Sequence, residues 1–373
     1  MQIIEIETIF VSYRTIGRFK FFEGRDGLPT GRPSVLVKLT NRTGITGWGQ
    51  CVPIPKWSYE TPESVKSTIE LYLGPALLNR SIESPEELHL VMNSTIAGSF
   101  STGMPIAKAG IDIAFHDLLG KSLSRTIPEL WGKTPREEIE LSWTLNPICL
   151  DDLGPLIEEG ESRGYQNFNV KVAPDLEFDL ELCRQVRRAV PEGILWADAN
   201  GGYDLETALV AAPKLADIGV AVLEQPLKPN MIRGYRALRK QGALPIIMDE
   251  GVVSPTDLEE FVALELLDGV AMKPARCGGL FPARAQLEFL VNEGLIILGS
   301  GLTDPDLSLA ASLLLYGAFD YSLPAALNAP QFLGDSVLSQ PLQPSAGRLA
   351  VPKGPGLGVG VDLAKLDELS SVI

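Results

Sequence analysis

The chain has 373 residues, of which 45% are hydrophobic, so it is long enough to bury a large core and to form one α/β barrel with a smaller partner unit, or two ordinary domains. The formal net charge of −15 and the pI near 4.7 disfavour nucleic acids and anionic membranes as partners, because phosphate binding requires clustered Lys and Arg. The four cysteines lie far apart without a CxxC pair, which favours reduced, buried thiols over a disulfide framework or a zinc site.

The first residues, Met1 to Glu7, alternate apolar and polar side chains, which is typical of a β-strand. They carry acids where a signal peptide would carry bases. The longest apolar stretch, Ser308 to Phe319, is too short to span a bilayer and is typical of a buried helix. We therefore predict a cytoplasmic protein with no membrane partner.

The first third of the chain predicts a mixed α+β unit. Ser34 to Leu39 alternates like a strand, and Gly44 to Gly49 is typical of a glycine-rich turn with a short strand. Thr61 to Leu78 predicts a helix.

From about Glu138 onward the pattern changes to short β-rich apolar runs, each followed by a helical stretch. The runs are Ile139 to Leu145, Phe168 to Val172, Ile194 to Ala197, Val220 to Leu223, Ile246 to Met248, Gly269 to Met272 and Leu295 to Leu298. Strand and helix in regular alternation predict parallel βα units.

Charged residues end five of these strands at regular intervals. They are Lys171, Asp198, Glu224, Asp249 and Lys273, separated by 27, 26, 25 and 24 residues, which is one βα unit per step. Catalytic groups of a parallel barrel lie at the carboxyl ends of its strands. We therefore expect these five side chains to meet at one mouth.

The three acids, Asp198, Glu224 and Asp249, would repel one another unless a cation lay between them. Ligands that are all oxygen, with no nearby His or Cys, select Mg²⁺ over zinc or copper, and Mn²⁺ is the alternative ion. Each acid alone could instead be a helix N-cap after a strand. Three acids in register favour the metal site.

The two lysines, Lys171 and Lys273, would flank such a metal from opposite sides. A lysine beside a cation has its ammonium form disfavoured, which lowers its pKa toward the range of a general base. Lysine bases with Mg²⁺-stabilised ene-diolates are a known pattern of one enzyme superfamily. The alternative, a surface lysine or a salt bridge to the acids, is disfavoured by the apolar neighbours of both residues.

Only two histidines exist, His89 and His116, and both lie in the first third of the chain. A histidine base from the barrel is therefore excluded. His116 is predicted to be a partly buried histidine of a helix rather than a catalyst.

The order of motifs resembles the muconate lactonizing enzyme subgroup of the enolase superfamily, within the mandelate racemase/muconate lactonizing enzyme family. The motifs are Lys171, Asp198-Ala-Asn200, Glu224-Gln-Pro226, Asp249-Glu250 and Lys273-Pro-Ala-Arg-Cys-Gly278-Gly279. Gly110 to Trp131 also looks like the helix that leads into the barrel of that family, so the resemblance covers nearly the whole chain.

The resemblance implies a (β/α)₇β modified TIM barrel with an α+β capping domain. Residues 1–130 would be the capping domain, 131–330 the barrel, and 331–373 a tail that returns to the capping domain. It also implies metal ligands at Asp198, Glu224 and Asp249 and acid/base lysines at Lys171 and Lys273. The early loop, about Arg14 to Arg32, would close over the substrate and select it.

Three positions depart from the family pattern, and two more complete its motifs. Asn169 replaces the first lysine of the usual Lys-x-Lys, Asp304 stands where a Glu is common, and Asn328 stands where epimerases of amino-acid derivatives often have an aspartate. Asp304 either orients Lys273 or caps a helix that starts at Pro305. Asn200 and Glu250, like these three, are predicted to contact substrate or to support the catalytic residues.

The expected reaction is Mg²⁺-dependent removal of the proton α to a substrate carboxylate, which gives a metal-stabilised enolate. Return of a proton by the opposite lysine would make the enzyme a racemase or epimerase, and a cycloisomerase is the related outcome. The alternatives are a dehydratase or syn-elimination lyase, of the o-succinylbenzoate synthase or hydroxyproline dehydratase type, and a non-catalytic metal-binding relative. We expect a small carboxylate as substrate and self-association into a homo-oligomer.

Overall fold

A computed structural model describes residues 1–24, 30–98 and 102–370. Its first part, the N-terminal unit, is a three-stranded antiparallel sheet in the order β1-β2-β3, covered by helices. The elements are β1 (Ile3–Tyr13), a 3₁₀ turn (Lys20–Phe22), β2 (Arg32–Asn41), β3 (Thr46–Cys51), α1 (Pro62–Thr68), a π-helical turn (Ile69–Leu73), α2 (Gly74–Leu77), α3 (Pro85–Thr95), α4 (Pro105–Leu123) and α5 (Ile127–Leu130). The predicted α+β character of this part is confirmed.

Helix α4 joins the N-terminal sheet to the rest of the molecule and is buried along nearly its whole length. Gly47 and Gly49 of β3 face it, and a Cβ atom at these positions would lie 2.2 and 2.1 Å from backbone oxygens of α4. The strand therefore approaches the helix more closely than a side chain permits, which is one use of glycine inside a strand. From α4, Asp112 accepts a hydrogen bond from the backbone N–H of Leu280, in the second part of the chain.

The second part is a curled parallel sheet with helices on its outside. Its elements are β4 (Glu138–Glu140), β5 (Ser142–Leu145), a 3₁₀ turn (Leu150–Asp152), α6 (Leu153–Ser162), β6 (Asn167–Lys171), α7 (Leu176–Ala189), β7 (Leu195–Asp198), α8 (Leu205–Ile218), β8 (Leu223–Glu224), α9 (Ile232–Gln241), β9 (Ile246–Met248), α10 (Pro255–Ala263), β10 (Gly269–Met272), α11 (Pro274–Cys277), α12 (Leu280–Asn292), β11 (Ile296–Gly299), α13 (Asp306–Gly317), α14 (Ala329–Phe332), β12 (Arg348–Ala350) and α15 (Leu363–Ser370). Strands β5 to β11 pair in chain order. Among the described residues, no helix combines the length and apolar composition needed to cross a bilayer.

Two short pairings close this sheet into a barrel. Leu141 bridges Ala325, and Ser300 bridges Ala326, both in parallel orientation. The backbone N–H of Ala326 donates to the carbonyl of Gly299 at 2.8 Å. The pair Ala325 and Ala326 thus serves as an eighth strand between β11 and β5, and the predicted (β/α)₇β barrel is confirmed.

Several predicted strands are displaced by one residue in the structure, and two differ by more. The run Ile139 to Leu145 is not one strand, because β4 pairs with β12 of the tail and only β5 belongs to the barrel. The run Val220 to Leu223 begins too early: Val220 donates its N–H to Leu215 and so belongs to the turn that ends α8.

The inside of the barrel consists of two layers. Most of the lower layer is a buried apolar cluster, formed by Trp196, Val222, Ile247, Ala271, Leu298 and Ala326. Side chains alternate between the faces of a strand, so the residue two positions further along also points inward. These residues form the upper layer, and they are Asp198, Glu224, Asp249, Lys273, Ser300 and Asn328.

The tail after residue 330 contacts both parts of the molecule. Helix α15 packs against β1, and Asp335 accepts a hydrogen bond of 2.7 Å from the backbone N–H of Arg14. Leu357 donates its N–H to Asp117 of α4 at 2.8 Å. The exact domain boundaries at residues 130 and 330 stay a prediction.

Candidate active site

A cavity lies at the carboxyl ends of the barrel strands, beneath the N-terminal unit. Seven of the ten predicted site residues line it: Asn169, Lys171, Asp198, Asn200, Glu224, Lys273 and Asn328. The other three lie next to it rather than in its wall: Asp249 and Asp304 are buried, and Glu250 is half-buried. The regular spacing of the five charged residues therefore does bring them to one mouth.

The acids and the bases at this mouth are paired with one another. The ammonium group of Lys171 donates to Asp198, and that of Lys273 donates to Asp249. Asp249 is also bound by Arg276, through its second carboxylate oxygen.

Of the three predicted metal ligands, Glu224 is the one to which no cationic group of the described residues donates a hydrogen bond; its Oε2 accepts a hydrogen bond of 3.1 Å from Nε1 of Trp196. Burial, and then the charges of Asp198 and Asp249, raise the pKa of Glu224 to about 8. Burial would also raise the pKa of Asp249, but the charges of Lys273 and Arg276 outweigh it and lower that pKa. Glu224 is therefore a predicted metal ligand whose charge is poorly compensated.

The pKa of Lys171 differs from the value expected beside a cation. Burial alone would lower it, but the charges of Asp198 and Glu224 outweigh burial and raise it. The physical reason is that Lys171 itself balances the charge of the acids.

The donor chemistry of the acids suits a hard divalent cation, since carboxylate oxygens are the ligands that Mg²⁺ prefers. Glu250, the residue after Asp249, adds a buried Oε2 without a hydrogen-bond partner. Within residues 1–24, 30–98 and 102–370, however, no three His, Cys, Asp or Glu side chains already stand as a metal-ligand group. Asp198 and Asp249 are turned onto the ammonium groups, which a cation would have to replace.

Aromatic residues of the N-terminal unit cover both lysines. The Nζ atom of Lys171 lies 5.9 Å from the ring centre of Phe19, and that of Lys273 lies 4.8 Å from the ring centre of Trp57. Cations are attracted to aromatic faces at this range, and the rings keep bulk water away from the ammonium groups. Phe19 lies within the predicted loop, Arg14 to Arg32, of which residues 25–29 are outside the described part of the chain.

Asn200 supports Asp198. Its backbone N–H donates to Oδ1 of Asp198 at 2.9 Å, and its side-chain amide donates to Oδ2 at 3.2 Å. Asn200 has a left-handed backbone with φ of 44°, a conformation that asparagine adopts more readily than most residues. The Asp-Ala-Asn motif therefore fixes the orientation of its own acid.

Asp304 does not cap a helix, so this alternative for it was wrong. Helix α13 begins at Asp306, and Pro305 is its N-cap rather than its first residue. Asp304 instead accepts a hydrogen bond of 3.2 Å from the backbone N–H of Leu302. Burial outweighs the nearby charge of Arg32 and raises the pKa of Asp304, and Lys273 also acts on it electrostatically.

Both histidines contact Asp112, away from the cavity. Nε2 of His89 lies 2.8 Å from Oδ2 of Asp112, and Nδ1 of His116 lies 3.3 Å from its Oδ1. His116 is buried in α4. These contacts agree with the structural role predicted for His116.

The sequence reasoning missed several residues that shape the site. Arg276 and Gln225 lie inside quoted motifs, and Gln225 accepts hydrogen bonds from the backbone N–H groups of Asp249 and Gly251. Both are polar residues close in sequence to the predicted acids and lysines in these motifs, and this position was the signal that could have identified them. Trp57 carried no signal, because its place over Lys273 depends on the packing of the N-terminal unit on the barrel.

Comparison with known proteins places the chain in a family. The family model described as the mandelate racemase/muconate lactonizing enzyme N-terminal domain matches residues 30–132, and that of the enolase C-terminal domain-like family matches residues 156–365. The chain belongs to the enolase superfamily, in its muconate lactonizing enzyme subgroup. The resemblance inferred from the motifs is thus confirmed.

The relatives of this enolase superfamily member carry several activities. It is 31% identical over 337 residues to chloromuconate cycloisomerase from a Pseudomonas species, with 89% of each chain covered. It is 32% identical over 256 residues to N-succinyl-L-Arg/Lys racemase from Bacillus cereus, with 67% of each covered. It is 27% identical over 335 residues to o-succinylbenzoate synthase from Listeria innocua, with 89% of this chain and 87% of that one covered.

Among solved structures, muconate lactonizing enzyme from Pseudomonas putida superposes with a TM-score of 0.90 at 25% identity, and 99% of each chain is covered. The prediction of an isomerase-type enzyme of the enolase superfamily agrees with these names. The names also differ in reaction, so they leave the reaction of this chain open.

Proposed function

We propose that this protein removes the proton α to the carboxylate of a small organic acid and that Lys171 and Lys273 are its acid/base pair. The observation that carries the proposal is the placement of two lysines at the same mouth as three acids. Lys171 is the last residue of β6 and Lys273 follows β10, and these are opposite strands of an eight-membered ring. A carbon between them can lose a proton to one lysine and receive one from the other.

Asp198, Glu224 and Asp249 are the residues that would hold a divalent metal, Mg²⁺ or alternatively Mn²⁺. When bound, the ion supplies positive charge next to the substrate carboxylate. The like charges around Glu224 and the unpartnered oxygen of Glu250 support this assignment, because both are costly without a cation. Trp196, Asn200 and Gln225 hold the three acids in place.

The aromatic residues of the N-terminal unit shield the two lysines from solvent. Phe19 and Trp57 limit the access of water to the two ammonium groups, and exclusion of water strengthens each electrostatic interaction in the cavity. The charge of Lys273 acts on Asp304, where it favours the ionised carboxylate. Lys171 takes the proton from one face of the carbon and Lys273 serves the other face.

Two opposed lysines favour racemisation, epimerisation or a cycloisomerase reaction. The racemase from Bacillus cereus and the cycloisomerase from Pseudomonas are relatives that carry these names. The second candidate is loss of a β-leaving group, as in a dehydratase or another syn-elimination lyase. It is supported by the relative named o-succinylbenzoate synthase, which is aligned over nearly the same length.

The test is an α-proton exchange screen in D₂O with Mg²⁺, over N-acyl amino acids, dipeptides, proline derivatives and lactones. A racemase or epimerase washes deuterium into the α-position without net loss of the acid, whereas a dehydratase forms a 2-keto acid. Lys171→Ala and Lys273→Ala are the controls. Exchange that survives both substitutions contradicts the base assignments, and Mg²⁺ binding without exchange in any acid favours the non-catalytic alternative.

A further inference from the structure

One sector of the barrel interior is polar but uncharged. In the lower layer, the positions on β7 to β11 and on the eighth strand are apolar, whereas β5 and β6 contribute Thr144 and Asn169. Thr144 and Asn169 pair in register, and both are almost completely buried, at 1% and 2% exposure. Buried polar groups in an otherwise apolar layer cost free energy unless each is hydrogen-bonded.

The side chains of this sector form hydrogen bonds with one another along one edge of each amide. Oδ1 of Asn169 accepts hydrogen bonds of 3.0 Å from the hydroxyls of both Ser142 and Thr144. The hydroxyl oxygen of Thr144 in turn accepts a hydrogen bond of 3.2 Å from Nδ2 of Asn328. Oδ1 of Asn328 is buried and has no hydrogen-bond partner among the residues that the structure describes. We call Ser142, Thr144, Asn169 and Asn328 the amide sector.

Thr144 couples the orientations of the two amides. Its hydroxyl has a single proton, so it can donate to one amide while it accepts from the other. When the oxygen of Asn169 accepts the proton of the Thr144 hydroxyl, the nitrogen of Asn328 must donate to that hydroxyl. A half-turn of one amide therefore requires the same rotation of the other. In both arrangements, the edges of the two amides that point away from Thr144 offer one hydrogen-bond donor from one residue and one acceptor from the other.

The coupling hydroxyl is held in place from behind. The side chain of Gln331 accepts a hydrogen bond from the backbone N–H of Thr144 at 3.1 Å and donates to its carbonyl at 2.8 Å. Both Asn169 and Asn328 line the cavity. The amide sector is therefore a fixed part of the cavity wall.

We propose that the amide sector is a substrate subsite that binds one uncharged group with both a donor and an acceptor, namely an amide or a hydroxyl. A carboxylate only accepts hydrogen bonds and an ammonium group only donates them, so neither can satisfy both amides. A site built around such buried groups discriminates strongly against a ligand that leaves one of them unpaired.

The position of the sector fits this role, and here the inference rests on the proposed function. In the ring of eight strands, β6, β5 and the eighth strand face β10, β9 and β8 across the barrel. The three acids lie at the ends of β7, β8 and β9, so a substrate whose carboxylate lies there extends its far side toward Asn328 of the eighth strand. Asn169 adjoins this side through its hydrogen bond with Thr144. The subsite thus assigns the substrate to carboxylic acids with a neutral polar substituent.

The test uses two matched pairs of acids with Mg²⁺ present: norvaline against N-acetylnorvaline, and 2-methylglutarate against its 5-monoamide. Each pair changes a charged group into an amide at nearly the same place. Binding is measured by calorimetry and α-proton exchange by NMR in D₂O. We expect the amide member of at least one pair to bind about tenfold tighter or more, and to exchange correspondingly faster.

Variants of Thr144 separate coupling from simple packing. Thr144→Val removes the hydroxyl with little change of shape and should abolish the preference for the amide, whereas Thr144→Ser keeps the hydroxyl and should retain it. Should Thr144→Val not fold, Asn169→Leu removes one amide edge and should have the same effect.

The outcomes separate the two proposals. If the charged members bind equally well, if no probe binds, or if the preference survives Thr144→Val, the subsite inference is overturned, whether or not exchange occurs. If no acid exchanges its α-proton, the proposed function fails, and the calorimetric preference still decides the subsite.

Discussion

The N-terminal unit and the barrel mouth both contain buried acids, but the surroundings of these acids differ. In the N-terminal unit each one meets donors: Asp112 is bound by two histidines, and Glu60 accepts hydrogen bonds from the backbone N–H groups of Ile106 and Ala107 at 2.7 and 2.9 Å. At the barrel mouth, Glu224 instead meets the charges of two other acids.

The neighbours of a buried acid indicate whether it has a structural role or a role in binding a ligand. An acid with a complete set of donors is explained by the fold that it holds together, as Glu60 is by the first turn of α4. An acid surrounded by like charges weakens the fold, so its presence calls for a ligand that offsets the repulsion. Burial and a shifted pKa are common to both regions, and only the neighbours separate them.

The largest effect should come from the lysines of the mouth. Lys171→Met and Lys273→Met remove the amines but keep most of the side-chain volume, so α-proton exchange should fall by roughly a thousandfold. Mg²⁺ affinity should be kept or increased, because each lysine competes for an acid of the site. As a control, Lys66→Met, on the surface of α1, should leave the exchange unchanged; a loss of metal binding in the barrel variants would contradict their role as bases.

Much of this region could be predicted because the barrel repeats one unit. Strand period and βα spacing are local features, so they placed Lys171, Asp198, Glu224, Asp249 and Lys273 at the same level without knowledge of the helices between them. The motifs then added Asn200, whose contacts with Asp198 span only two residues.

What escaped prediction depends on contacts between distant parts of the chain. Trp57 reaches Lys273 only because the N-terminal unit packs on the barrel, and nothing in its local sequence indicates that contact. Strand β4 lies outside the barrel because it pairs with β12 of the tail, which is about two hundred residues further along the chain. The sequence allowed two roles for Asp304, a helix cap or a partner of Lys273, because a Pro follows it. The start of α13 at Asp306 excludes the helix cap.

In the N-terminal unit, the largest effect is expected from the acid of α4. Asp112→Asn leaves the geometry nearly unchanged but removes the charge that favours protonated His116, so the burial of His116 is no longer compensated. The free energy of unfolding should fall by about 4 kcal/mol, as for a broken buried pair. Chemical denaturation at pH 7 measures it. A loss below 1 kcal/mol would contradict the importance of this pair, with the exposed Asp320→Asn as the matched control.

A smaller effect, with a defined pH dependence, is expected from Glu60. Burial raises its pKa from about 4.5 in the unfolded chain to about 7 in the fold, even though two backbone N–H groups favour the charge. The ionised form therefore costs stability above pH 7, and this cost disappears as the pH falls toward 4.5. Between pH 8 and pH 5 the protein should gain about 3 kcal/mol relative to Glu60→Gln.

The difference between the protein and Glu60→Gln isolates this group, because all other titrations are shared by both. Denaturation at the two pH values provides it, and Glu86→Gln, an exposed neutralisation in α3, should show no such change. A difference that grows toward high pH would mean that the two backbone donors, and not burial, dominate the environment of Glu60.

The smallest expected effect falls on Glu224 and tests both halves of the comparison in one variant. Glu224→Gln keeps an oxygen for Nε1 of Trp196 but removes the charge that Asp198 and Asp249 oppose. If the acids repel one another in the absence of a metal, the metal-free variant should be more stable than the parent, while its Mg²⁺ affinity falls by at least about tenfold. Thermal unfolding with and without Mg²⁺ measures both changes, and the exposed Glu177→Gln should alter neither. A metal-free variant that is less stable than the parent would show that the positive groups, Lys171, Lys273 and Arg276, already balance the cluster, and the repulsion would no longer argue for a bound cation.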